Sequence, residues 1–297
     1  MNRAWVSLVV FAVGCGVSEV DIDDGAEGVE ASEVSDELSA FGNTVVTLRR
    51  DTRRCVSPMC GGFFARDVNR STSEQYVSGL DFSRSGLDAQ TQQDVLDGAD
   101  GEVLVRGRLG PAESRFNTRP LIVLEAWRGL PGVTVRAGDP FYRVDRQAFC
   151  AAAPCRSWRA TRLNVGTFGG FNELVTSLSA TPFLDTPWLL NEALTNGALV
   201  AGTVSRVRTT YWVLDASQIF LKLPQRASCR SSTPRACTGG RVRTFERGLD
   251  RCLTPAACVL PPPCAPLQVE CPAGYTQATW LAGAGCPRHA CDPAFAR

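Results

Sequence analysis

The chain has 297 residues, 44% of them apolar, with six Trp and fourteen Phe, so it is long enough for two domains with packed cores. Its formal charge of +1 hides a polarised distribution: residues 16–43 carry nine acidic and no basic side chains, while residues 44–297 carry 21 acidic and 30 basic ones. Lys222 is the one lysine and His289 the one histidine, which excludes multi-histidine zinc sites and leaves Ser-His-Asp or Cys-His catalysis dependent on a single residue.

The N-terminal segment 1–14 has Arg3, the apolar run Ala4–Phe11 and then Ala12-Val13-Gly14-Cys15. The run is shorter than the ~20 residues that span a bilayer and has the build of a signal-peptide core. Ala12–Cys15 resembles a bacterial lipobox, with Ala12 where Leu is usual. That resemblance implies cleavage before Cys15, lipidation of its sulfur, and, with Gly16 following, transfer to the outer membrane. Residues 15–43 are then a lipidated cysteine followed by an acidic stretch with Phe41 as its one aromatic, too polar to offset chain entropy by burial. A flexible tether is expected there.

Cysteine parity agrees. Thirteen cysteines leave an odd thiol, and assigning Cys15 to a lipid leaves twelve, enough for six disulfides in an oxidising compartment.

Residues 44–132 and 133–226 read as two β-rich repeats. In the first, a strand at 45–49 precedes the ring Cys55-x4-Cys60 and a strand at 63–68. A polar stretch with Leu80 and Phe82 leads to a helix at 87–96, then to strands at 102–109 and 120–127. In the second, strands at 141–145 and 157–163 flank the ring Cys150-x4-Cys155. Thr186 as N-cap and Pro187 open a helix that Asn196-Gly197 stops, and strands follow at 198–204 and 210–220. At an offset of 95, Cys55 meets Cys150, Cys60 Cys155, Asn69 Asn164 and Gly107 Gly202. Five residues fewer bring Val123-Leu124-Glu125-Ala126 onto Val213-Leu214-Asp215-Ala216. The expected fold is mainly β, or α+β: two tandem β-β-α-β-β units stapled by local disulfides. The rings are structural rather than redox dithiols, because no C-x2-C occurs and four intervening residues let a turn bring two cysteines to disulfide distance.

Arg53-Arg54-Cys55-x4-Cys60-Gly61-Gly62, the aromatic pair Phe63-Phe64 and Arg66-Asp67-Val68-Asn69 resemble a domain-of-unknown-function family of secreted, myxobacterial-type lipoproteins. The resemblance covers about 45–225. It implies secretion and these domain limits, and brings no catalytic or binding residues with it.

Residues 227–297 hold Cys229, Cys237, Cys252, Cys258, Cys264, Cys271, Cys286 and Cys291, the density of a disulfide scaffold with four bridges of open connectivity. Pro261-Pro262-Pro263 divides this module into an Arg-rich piece, 226–251, and a terminal knot. The Arg-rich piece is the best polyanion candidate.

No phosphate loop, HExxH or GxSxG is present, and neither a metal, a cofactor nor a catalytic residue is assigned. The expected function is a non-catalytic binding or structural module of the cell envelope. Its expected partners are the membrane, through the lipid, and a polyanion or protein ligand, with no specific nucleic acid. The alternatives are a secreted protease-inhibitor-like protein and a carboxylate-based glycan hydrolase; for the latter, Glu125 and Asp215 occupy matching repeat positions but read as edge or salt-bridged residues.

Overall fold

The computed structural model describes residues 43–54, 56, 58–112, 116–147, 156–176, 182–225, 229 and 234–296. The expected signal segment 1–14, the lipidation site Cys15, the tether up to residue 42, and Cys55, Cys150 and Cys155 lie outside the described residues.

The first half of the body contains β1 (Thr44–Arg50), β2 (Phe63–Asp67), β3 (Gln75–Val77), β4 (Leu80–Asp81), α1 (Ala89–Asp97), β5 (Asp100–Leu109) and β6 (Leu121–Gly129). The second contains β7 (Phe141–Arg146), β8 (Trp158–Arg162), β9 (Phe168–Phe171), β10 (Glu173–Thr176), α2 (Thr186–Thr195), β11 (Leu199–Arg208) and β12 (Tyr211–Lys222). The fold is mainly β with two short helices among the described residues.

All twelve strands belong to one sheet, whose main path is β3-β2-β1-β5-β6-β12-β11-β7-β8-β9. From either edge the order is the same: third, second, first, fifth and sixth strand of a half. The halves meet where β6 and β12 pair antiparallel, Gly129 opposite Phe220 and Trp127 opposite Lys222. Off the path, β4 runs parallel to β6 and β10 parallel to β12. Each half is therefore β-β-β-β-α-β-β, with two short strands more than expected. Strands of two to four residues are too short to show a period in the sequence.

The register also corrects the alignment of the last strands. Gly107 sits opposite Val123 and Gly202 opposite Ala216, each beside a bulge. Arg106 and Ala201 then face Glu125 and Gln218 respectively, so Glu125 matches Gln218 and not Asp215. The look-alike tetrapeptides, both V-L-acid-A, are out of step. Both glycines are needed for close approach: a Cβ at Gly107 would lie 2.5 Å from the Ile122 carbonyl oxygen, and one at Gly202 2.3 Å from that of Asp215.

Each helix starts on an aspartate. Asp88 accepts a hydrogen bond from the Thr91 amide at 2.8 Å. Asp185 accepts from the Trp188 amide at 3.3 Å, which places the N-cap one residue before the expected Thr186. Val95, Trp188, Leu189 and Ala193 carry the helices onto a core with Leu48, Val105, Leu121, Leu214 and Leu221. A smaller cluster of Val45, Leu104, Trp127, Leu199 and Phe220 buries the other face of the central strands. Leu104 lies between Val103 and Val105, all three without solvent exposure, which is why this strand alternates only partly in sequence.

The tail is two hairpins, β13 (Val242–Arg247) with β14 (Leu253–Val259), and β15 (Tyr275–Leu281) with β16 (Pro287–Pro293). Its disulfides are Cys229–Cys252 and Cys237–Cys258 in the first, Cys264–Cys286 and Cys271–Cys291 in the second. The connectivity within each set of four is first to third and second to fourth, closing spans of 23, 21, 22 and 20 residues. The tail thus has its own repeat, divided at Pro261–Pro263.

The tail is docked, not pendant. Phe295 and Ala296 enter the main core, the Cys291 amide donates to the Phe183 carbonyl at 2.9 Å, and the Tyr275 hydroxyl donates to the Pro131 carbonyl at 3.1 Å. Arg247, its side chain 6% exposed, is 2.6 Å from Asp292 and 3.4 Å from the helix-capping Asp185. Arg251, equally covered, lies over the Trp188 ring and donates to the Ala296 carbonyl. Burial pulls the Arg251 guanidinium below its ordinary pKa, and Asp292 opposes that pull.

Candidate ligand site

Four ladder steps separate β1 from β5, β6, β12 and β11, and a fifth reaches β7. In a flat sheet β1 and β7 would stand roughly 24 Å apart. Instead the sheet curls until their first residues meet, and side-chain amides close the gap. Asn69 donates to the carbonyls of Phe141 (2.7 Å) and Leu163 (3.0 Å) and accepts from the Phe141 amide (2.8 Å). Asn164 donates to the carbonyls of Val45 (2.7 Å) and Val68 (3.0 Å) and accepts from the Val45 amide (2.8 Å).

Beside this seam lies an open cleft of about 580 Å³. The end of β2 and the turn after it supply Arg66, Asp67 and Arg70, the connection before β7 supplies Arg136 and Asp139, and β8 supplies Arg162. Asp67 and Arg162 occupy equivalent places in the two halves, opposite Val46 and Tyr142, so the halves present opposite charges to one cavity.

Asp67 is 5% exposed. Its Oδ2 is 3.6 Å from the Arg70 guanidinium, and its buried Oδ1 has no hydrogen-bond partner. Asp139 accepts at Oδ1 from the Thr203 hydroxyl at 2.9 Å, while its buried Oδ2 has no partner. Buried acceptors of this kind are normally satisfied. Arg136 pairs with Asp215 at 3.1 Å, and Arg70 also donates to the Asn164 carbonyl. Among the described residues, exposed Arg66 and Arg162 have no carboxylate within ion-pair distance. The cleft thus offers guanidinium donors at its rim and two acceptors short of a donor.

The residues singled out from sequence lie elsewhere. Glu125 is bound to Lys222 at 2.6 Å and Arg106 at 2.9 Å. His289, half-buried on β16, contacts Gln277 and Thr279 through Nδ1 at 3.0 Å each. The Arg-rich piece is corrected as a polyanion surface at two places, since Arg247 and Arg251 are buried in the docking of the tail. Near the first ring, Arg49 pairs with Glu74 at 2.6 Å and Arg53 with Asp51 at 2.8 Å, and both lie over Phe64. Cys60 is disulfide-bonded. Among the described residues no group of three or more His, Cys, Asp or Glu side chains is placed to hold a metal ion.

Sequence reasoning missed Asp67, Asp139 and the arginines around them. Its nearest signal was the Asn69/Asn164 coincidence, read as a mark of duplication with no contact attached.

These features define a disulfide-bonded, mainly β protein of two like-ordered halves with a polar cleft at their seam. The chain belongs to the family described as a domain of unknown function, DUF6748, whose profile matches residues 44–223. That span is the twelve-stranded sheet, and it stops before the cysteine-rich tail. No curated protein and no solved structure matches the chain.

Proposed function

We propose that the protein is a lipid-anchored, non-catalytic binding module of the bacterial cell envelope, tethered to the outer membrane through Cys15, with its ligand seated in the seam cleft. The two halves arose as copies of one unit, each stapled by a local ring, Cys55–Cys60 in the first and Cys150–Cys155 in the second. The observation that carries the binding assignment is the pair of buried, donor-less carboxylate oxygens of Asp67 and Asp139 opposite a rim of arginines. A site shaped for a ligand with both acceptors and donors accounts for all six side chains. Export is supported by the tail disulfides.

The test has two arms. Cells fed radiolabelled palmitate should label the native chain and not Cys15→Ala, with the label in outer-membrane fractions; a soluble, unlabelled native protein removes the anchor. A ligand captured from envelope or extracellular extracts should be released by Arg66→Ala/Arg162→Ala, and retention by that variant removes the cleft.

Hydrolysis is a second reading, favoured by the two carboxylates sharing the cleft. It requires release of new reducing ends from a glycan, abolished in Asp67→Asn.

A further inference from the structure

From the balance of donors and acceptors in the cleft, we infer that its ligand is an acidic saccharide, a short sugar chain carrying a carboxylate. The inference rests on the reading of the cleft as the binding site.

Four guanidinium groups against two carboxylates leave the lining with two positive charges in excess, so the favoured ligand is an anion. Arg66 and Arg162 are exposed and free of carboxylates among the described residues, and a guanidinium fork matches a carboxylate bidentately. Charge alone does not define the ligand, because the same lining holds Asp67 Oδ1 and Asp139 Oδ2, buried and without donors. A continuous polyanion, a nucleic-acid backbone for example, would bring acceptors against acceptors there.

The donors needed are neutral. Asp67 already faces Arg70 at 3.6 Å and Asp139 already accepts from Thr203, so an incoming ammonium would meet half-neutralised carboxylates inside a positive cavity. Hydroxyl groups donate to such oxygens at no electrostatic cost. Many hydroxyls and one carboxylate on a compact frame describe a uronic-acid-containing sugar. The volume of about 580 Å³ falls within the roughly 300–1,000 Å³ of small-molecule sites, room for one or two rings.

Isothermal titration of the purified full-length protein tests this with four probes: cellobiouronic acid, cellobiose (the same disaccharide without the carboxylate), inorganic phosphate and L-glutamate. The expected result is binding of cellobiouronic acid at least about tenfold tighter than each other probe, one charge-assisted pair being worth a decade in affinity. Arg66→Ala/Arg162→Ala should lose about tenfold for cellobiouronic acid with its melting temperature unchanged, since both side chains are exposed. Asp67→Asn should weaken the disaccharide and leave phosphate alone. Equal affinity for cellobiose, phosphate binding as tight as the acid sugar, preference for glutamate, or no binding of any probe each overturns the inference. If another ligand binds and cleft substitutions abolish it, the saccharide class falls and the cleft stands. If a ligand binds and no cleft substitution weakens it, the cleft itself falls.

Discussion

Asn69 and Asn164 clasp each other's halves: both adopt the left-handed conformation, at φ 60° and 62°, and each gives its amide to the first strand of the opposite half. Alanine in that conformation costs about 1–2 kcal/mol, and each lost hydrogen bond about 0.5–1.5 kcal/mol. Asn69→Ala and Asn164→Ala should each destabilise the protein by roughly 3–5 kcal/mol in urea unfolding of the oxidised chain. Asn69→Gly keeps the conformation and loses only the hydrogen bonds, so it should cost visibly less. Equal losses for Ala and Gly would assign the residue to backbone geometry alone, and near-zero losses would remove the clasp.

Gly202 answers a different constraint, because its Cβ would meet main chain and not a movable side chain. Gly202→Ala should cost roughly 1–3 kcal/mol through forced separation of β11 and β12, with Gly107→Ala close behind. Gly169, around which a Cβ meets nothing within 4 Å, is the control and should tolerate alanine with a much smaller loss. A Gly202→Ala variant as stable as the control refutes the close approach.

The same two positions show how far the sequence reaches. Asn69/Asn164 and Gly107/Gly202 stood out at one offset because each pair does one job twice, and identical backbone demands keep identical residues. The strands 100–109 and 121–129 were visible through their apolar runs. What stayed hidden depends on pairing across the chain. The bulges beside the glycines shift register without leaving a mark on residue type, so Glu125 was matched to Asp215 when its counterpart is Gln218. The cleft draws on β2, the connection before β7, and β8, which only the curl of the sheet brings together.

Asp51 gives the body an acid-sensitive contact. Its side chain is fully covered, and the Arg53 guanidinium, hydrogen-bonded at 2.8–3.1 Å, holds its carboxyl below the usual range; Glu74 is lowered in the same way by Arg49. A folded-state pKa below the unfolded one means stabilisation that is complete above the ordinary carboxylate pKa of about 4 and is lost as pH falls below it. Melting temperatures of the native protein and Asp51→Asn should therefore differ most at pH 5–7 and converge toward pH 2. Parallel curves down to pH 2 would show that the loss comes from shape and not from the charge.

The tail makes a prediction about its bonds. Peptide mapping without reduction should recover Cys229–Cys252, Cys237–Cys258, Cys264–Cys286 and Cys271–Cys291. Removing one bridge, as in Cys237→Ser/Cys258→Ser, should cost about 3 kcal/mol for a closed loop of this length, while the second hairpin keeps its amide protection. Bridges joining the two sets of four would dismantle the tail repeat.

Arg247 decides whether the tail stays docked. Its guanidinium joins Asp292 of the second hairpin to Asp185, the cap of α2, so one side chain from the first hairpin ties both other elements together. Truncating one partner of a buried ion pair leaves uncompensated charge and costs roughly 3–5 kcal/mol, and Arg247→Met leaves two carboxylates facing each other across the gap. Arg251 remains, 4.0 Å from Asp292 and held by burial against Trp188, and offsets part of the loss. Hydrogen exchange should rise at the Cys291 amide, which bonds to Phe183, and at the Trp188 amide, which Asp185 caps, while the β13–β14 ladder keeps its protection. Loss of protection throughout β13–β14 would mean that Arg247 holds its own hairpin together and not the joint with the body. Arg247→Lys distinguishes charge from geometry: one ammonium cannot span both carboxylates as the fork does, so it should restore only part of the protection.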